Sequence, residues 1–320
     1  MKKTEIRELE EVMADFLFHC RVEKNLSIHT IKAYTQDLKQ FFTYLSVNGK
    51  VMDMKKIDKQ ILRGYLQQLH ETGKVKTVKR KIATLKAIFT YLEFEDRISV
   101  SPFRKMRIKI KEPLQLPGVL TLNEIKTLFQ TVYKVRRACS DAATYTYKSI
   151  VRGIVVLELL FATGIRVSEL CNLKKIDVNI EQKYIKVNGK GSRERVIQVC
   201  SQEIIAILEE YMDLFHQSAS WFSYFFINRL GRRLSEQSVR FMIKKYARLS
   251  NIKKEVTPHM FRHTFATLLL EEEVDIRYIQ QLLGHSTITT TQIYTHITRH
   301  KQKEILTTRH PRGSFKVDER

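Results

Sequence analysis

Close to the C-terminus, the stretch TPHMFRHTFATLLLEEEVDIRYIQQLLGHSTITTTQIYTH carries His259, Arg262, His285 and Tyr294, and the upstream fragment ATGIRVSEL adds Arg166. Two arginines, two histidines and a tyrosine are a set able to hold one phosphodiester and break it without a metal. The planar fork of each arginine matches phosphate oxygens. Histidines move protons near neutral pH, and a phenolic oxygen can attack phosphorus. Between these fragments Lys190 stands in a Gly-Lys-Gly turn, an arm from which a proton donor could reach into a closing site.

Each of these residues also has an ordinary structural use. His259 and Arg262, three apart, share a helical face, where a buried arginine needs an anionic partner that a salt bridge can supply. Arg166 follows Gly164 at a tight helix junction, where N–H groups can face an anion, or where the arginine can pair with Glu169 or Glu158. A hairpin-tip lysine is commonly only solvated. His285 follows a helix stop, as many surface histidines do, and Tyr294 lies between Ile293 and Ile297, as many core or rim tyrosines do. What discriminates is their joint order and spacing. His259 and His263 are four apart, but no HExxH glutamate stands between them and no third ligand is marked, so no metal site is expected. The chain has neither a P-loop nor a carboxylate cluster for Mg²⁺, and no cofactor is expected.

The elements that must position these groups are mostly helical. The N-terminal part reads as four helices: Glu5 to about Arg21; a second capped by Ser27, with Ile28, Ile31, Tyr34, Leu38, Phe41 and Leu45 at three- and four-residue steps; a third from about Asp58 to His70, stopped near Gly73; and a fourth from near Thr77, ending before Ser101-Pro102. Residues 103–118, basic and interrupted by Pro113 and Pro117, read as an extended linker between a domain at 1–102 and a second at 119–300. In the second, Thr121 caps a helix running through Val132, and IVRGIVVLELLFATG is an apolar helix ending at Gly164. Tyr184–Val187 and Arg195–Val199 are strand-like around the NGKGSRE hairpin. Helices resume at about 201–217, 235–250, 258–272, 275–283 and 289–298. The expected fold class is mainly α, a helical domain followed by an α-rich domain with a small β-sheet.

Composition narrows the partner. The 320 residues carry a formal charge of +22, divided as roughly +10 before residue 115 and roughly +12 after it. Charge spread over both halves suits polyanion binding along most of the molecule. Lys74, Lys76, Lys79, Arg80, Lys81 and Lys86 crowd the start of the fourth helix, and Arg104 and Lys105 follow it, so these are the candidate DNA-backbone contacts; a solvated helix face is the other reading. Four scattered cysteines without metal spacing suit free thiols in a reducing compartment. No signal peptide or apolar run of membrane-spanning length is present, so a cytoplasmic protein with no membrane partner is expected.

The ordered set ATGIRVSEL, GKGSRERVI, TPHMFRH and LLGHSTITTTQIYTH resembles the tyrosine recombinase (phage integrase) family, and within it the Xer-type site-specific recombinases. The likeness spans nearly all of the second domain, and NLSIHTIKAYTQDLKQFFTYL resembles the family's SAM-like, core-binding helical domain. The resemblance implies a fold shared with type IB topoisomerases, and an enzyme that cleaves and rejoins double-stranded DNA through a 3′-phosphotyrosyl link without metal or ATP. It implies Tyr294 as nucleophile, Arg166 and Arg262 as the clamp on the non-bridging oxygens, Lys190 as general acid, His259 in acid–base exchange, and His285 holding the phosphate. It further implies an inverted-repeat core site, a homo- or hetero-tetramer on DNA, and a C-terminal tail (301–320, with the exchanged segment reaching from Thr298 to Phe315) passed to a neighbouring protomer. The segment from Val132 to Ile154 is longer than the Xer pattern, and the charge is higher. Chromosome-dimer resolution and mobile-element integration or excision therefore both stay open. The alternatives are an inactive architectural DNA-binding protein and a topoisomerase-like relaxing enzyme.

Overall fold

A computed structural model describes residues 3–47, 53–111, 118–139, 141–189, 194–216 and 223–284. The chain divides into two compact units, Met1–Leu114 and Gln115–Arg320.

The first unit is built from α1 (Lys3–Val22), α2 (Ile28–Val47), α3 (Lys59–Thr72) and α4 (Val75–Phe94). Their inward stripes meet in one core that includes Phe16, Leu38, Phe41, Tyr65, Leu85 and Phe89. Local chemistry sets the helix starts. Asp58 accepts from the N–H groups of Gln60 and Ile61, and Ser27 Oγ accepts from that of Thr30, satisfying donors that a first turn leaves unpaired. A buried polar tie crosses this core. Asp37, 2% exposed, pairs with Arg80 and accepts from Thr84 Oγ1 at 2.9 Å.

The stretch read as a linker begins differently. Pro102–Lys105 is a short 3₁₀ turn, Phe103 is buried, and Met106, Ile108 and Ile110 pack onto the first core. Apolar residues at every second position explain this, because an extended chain turns 106, 108 and 110 to one side. Pro113 and Pro117 lie outside the described residues.

In the second unit α5 (Leu122–Ala138) opens with a full capping box between Thr121 and Glu124. It runs past Val132, where Tyr133 and Val135 continue the apolar stripe onto the core and Arg136 pairs with Glu210. α6 (Tyr145–Thr163) starts a turn earlier than its apolar run, capped by Thr144. It is the central post of the unit, apolar on nearly all sides, and α5, α8 (Gln202–His216), α9 (Glu236–Leu249) and α10 (Pro258–Glu271) pack around it. α7 (Val167–Asn172) leads to a three-stranded antiparallel sheet, β1 (Val178–Asn179), β2 (Tyr184–Asn188) and β3 (Glu194–Gln198), in that order, with Ile185 opposite Ile197. β1 is too short to leave an alternating signature. α11 (Ile276–Leu283) packs on α10 and β3. The helix read at 289–298 lies outside the described residues. Among those described, no helix is long and apolar enough to cross a membrane.

Candidate active site

Two helix ends create the site. α6 stops at Gly164, which takes a left-handed φ of +58°. A side chain there would be strained, and its Cβ would meet Phe265 Cδ1 at 2.6 Å and Leu283 Cδ2 at 2.8 Å. The turn this glycine permits sets Arg166 at the N-cap of α7. α11 stops in the same way at Gly284, φ +64°.

Arg166 is held from two sides. Its N–H donates to Glu169 Oε2 at 3.0 Å, and Nη1 to Glu169 Oε1 at 2.7 Å. Nη2 donates to the Gly284 carbonyl at 3.3 Å. The carboxylate pairing weighed from sequence is therefore present with Glu169, while Glu158 accepts from Tyr133 OH. About a third of the Arg166 side chain stays exposed (32%), so the pairing leaves part of it open to solvent.

Arg262 is only 4% exposed. It meets its need for negative partners with helix ends: Nη1 donates to Gly164 O at 2.7 Å and Nη2 to Leu283 O at 2.6 Å. The last carbonyls of a helix carry the negative end of its dipole, so a cation is stabilised there. Arg166 and Arg262 thus converge on the final turn of α11, immediately before His285.

A third guanidinium completes the arrangement, and sequence reasoning passed over it. Arg195 on β3 donates from Nη2 and Nη1 to Glu169 Oε2 and Oε1 at 2.7 and 3.2 Å, and from Nε to Leu282 O at 2.9 Å. The signal was present in the pattern. Arg195 lies opposite the buried Val187 and two residues before the buried Ile197, an inward position filled by a charge. Burial raises the pKa of the Glu169 carboxyl, but hydrogen bonds and charge from Arg195 and Arg166 outweigh this and hold it below the ordinary value.

His259 lies one turn before Arg262 on α10. It keeps an exposed edge, yet the protein crowding its ring, joined by Arg262, Arg240 and Arg166, lowers its pKa below the usual 6.5. His263, 6.4 Å away between ring centroids, is pushed down to about 4 by burial, His259 and Arg262. Both shifts favour the neutral form of the ring. Among the described residues no group of three or more His, Cys, Asp and Glu gathers as a metal site.

Lys190, His285 and Tyr294 lie outside the described residues, so the structure brings together Arg166, His259 and Arg262 of the residues singled out. In the first unit Lys74, Lys76, Arg80 and Lys86 are exposed along α4, while Lys79 and Lys81 are half-buried. Arg80 is committed to Asp37, Lys81 to Gln40, and Arg104 to Glu93 at 2.9 Å. Lys105 is exposed.

Comparison with known proteins agrees with this architecture. The phage integrase family model matches residues 118–301, and the family's N-terminal SAM-like domain matches 13–96. A tyrosine recombinase of Agathobacter rectalis is 45% identical over 97% of this chain and 99% of its own length. XerD of Listeria monocytogenes and XerC of Thermodesulfovibrio yellowstonii are each 35% identical, over 95% and 93% of this chain and 100% and 96% of theirs. Among solved structures, a XerH recombinase bound to palindromic difH superposes with a TM-score of 0.75 at 21% identity, covering 96% of this chain and 89% of that one.

Proposed function

Because the chain belongs to the phage integrase family of tyrosine recombinases, we propose that it exchanges DNA strands at a short inverted-repeat site with Tyr294 as the nucleophile. The Tyr294 phenolic oxygen bonds to the scissile phosphorus, and His259 takes its proton. The bond from phosphorus to the 5′-oxygen breaks, and Lys190 protonates that oxygen as it leaves. The product is a 3′-phosphotyrosyl link and a free 5′-hydroxyl. Attack by the 5′-hydroxyl of another strand reverses the steps and releases the tyrosine. The link preserves the phosphodiester's energy, so no ATP is consumed.

The observation that carries this reading is the convergence of Arg166 and Arg262 on the end of α11, beside a histidine whose surroundings favour its neutral form. Two guanidinium groups fixed at one helix end would oppose the extra negative charge of a five-coordinate phosphorus, the charge that metal ions offset elsewhere. His285, directly after Gly284, would add a further donor. Exposed Lys74, Lys76, Lys86 and Lys105, with the half-buried Lys79 and Lys81, would track the phosphate backbone, where each neutralised phosphate adds salt dependence. Arg80 and Arg104 would contribute less, being matched to Asp37 and Glu93. The working assembly would be a tetramer on two sites in the cytoplasm, with the C-terminal segment lodged in a neighbouring protomer.

XerD and XerC relatives are equally similar, at 35%, so identity does not place the chain with one of these two over the other. The test is incubation with a nicked half-site. Wild type should trap a covalent adduct, whereas Tyr294→Phe should bind the DNA and form none. An adduct that survives the substitution, or binding by wild type without an adduct, overturns the reading. Relaxation of supercoiled DNA with no sequence preference would identify a topoisomerase instead.

A further inference from the structure

We propose that Arg195 is a positioning residue for strand cleavage, setting the fork of Arg166 against the end of α11; the proposal rests on the recombinase reading above. The Arg195 side chain is 12% exposed and engages Glu169 and Leu282 from three nitrogens. Every acceptor belongs to the arrangement around the clamp. Glu169 is the carboxylate that also holds Arg166. The Leu282 carbonyl neighbours the Leu283 carbonyl that takes Arg262 and lies two residues before the Gly284 carbonyl that takes Arg166.

The geometry explains why a charge stands there. One carboxylate with two oxygens cannot fix the orientation of a guanidinium while it can itself rotate. Arg195 grips both oxygens of Glu169 from the side of β3, so the carboxylate plane is set, and Arg166 inherits that plane through Oε1 and through its own N–H to Oε2. The same guanidinium pins the last turn of α11, whose terminal carbonyl is the other contact of Arg166. For stability alone, an apolar pair of similar volume would serve the fold as well or better than these desolvated charges. What an apolar pair could not do is aim a fork. Gly284 fits the same scheme: it ends α11 at a left-handed φ of +64°, and a Cβ there would lie 2.9 Å from Arg195 Nη1, so a larger residue would push on the guanidinium.

The test is a double-mutant cycle on full-length protein, reading single-turnover cleavage of a nicked half-site per DNA-bound protein. Arg195→Lys keeps the charge but cannot reach three acceptors, and Arg195→Gln serves as a second variant. Each should slow cleavage about a hundredfold, the scale of a small misplacement of a reacting group, with DNA affinity close to wild type. Combined with Arg166→Lys, either should add little, leaving the double variant within about threefold of Arg166→Lys alone. A residue that only supported the fold would multiply its defect onto that of Arg166→Lys. Multiplied defects, or Arg195 variants that cleave at the wild-type rate, overturn the proposal. Absence of a Tyr294-dependent adduct in wild type would instead overturn the recombinase reading beneath it.

Discussion

Arg262 Nη2 lies 2.6 Å from the carbonyl oxygen of Leu283, and the other arm of the fork holds the carbonyl of Gly164. One buried side chain thereby ties the ends of two helices that are distant in sequence. The chain's ability to present Arg166 against the end of α11 depends on that tie.

Arg166→Lys tests the clamp directly. Lysine keeps the charge but loses the paired donors to Glu169 and Gly284. Half-site cleavage should fall by about a hundredfold or more, as when one donor to a developing oxyanion is removed, while gel-shift affinity barely changes. An equal loss of binding would mark Arg166 as a structural residue.

The left-handed glycines that end α6 and α11 should rank in a definite order. Gly164→Ala meets packed carbon atoms of Phe265 and Leu283 closer than 3 Å, whereas Gly284→Ala meets the end of Arg195. Backbone strain is common to both, but overpacking adds to the first. Gly164→Ala should cost about 3 kcal/mol and Gly284→Ala about 1–2 kcal/mol in urea unfolding. The reverse order would mean that Arg195 yields less than the apolar pair.

His263 should make stability fall in acid. Its pKa is about 4 in the fold against an ordinary 6.5, so the unfolded chain binds the proton more readily. Its contribution is complete above pH 6.5 and is lost as pH falls toward 4. The unfolding midpoint should drop across that window, and His263→Gln should flatten the drop. An unchanged pH profile in the variant would assign the acid sensitivity to other groups.

Glu158 should act in the opposite direction. Burial raises its carboxyl from 4.5 to about 7 despite the hydrogen bond from Tyr133, with Glu203 adding repulsion. The folded state binds this proton more readily, so that contribution is present below pH 4.5 and lost as pH rises through 7. Glu158→Gln keeps an acceptor for Tyr133 and removes the charge. It should raise the unfolding midpoint at pH 8 and leave it nearly unchanged at pH 5.

Helix existence was legible wherever apolar residues recur at helical spacing, as in Leu38, Phe41 and Leu45 of α2. Helix ends were legible where a cap was present, as at Asp58, Thr121, Gly164 and Gly284. The periodic signal was read too short at the end of α5, where Tyr133, Val135 and Cys139 continue the apolar stripe onto the core and Arg136 adds an ion pair to Glu210, far along the chain. It was missed at Met106, Ile108 and Ile110, where flanking prolines and lysines masked an alternating strip that packs onto the first core. In the site, Arg166, His259 and Arg262 could be picked out because their motifs are local. Arg195 could not be, since its meaning lies in Glu169 and Leu282, which only the fold brings to it.

The guanidinium-lined end of α11 bears on the energetics of the reaction proposed above. Three like charges gathered on demand would repel one another, and a substrate would have to supply the work of assembling them. Here Glu169 and the carbonyls of Gly164, Leu282, Leu283 and Gly284 already compensate that repulsion in the free protein. On the recombinase reading proposed above, the clamp is preorganised, so DNA binding energy would go into the five-coordinate phosphorus rather than into building its receptor.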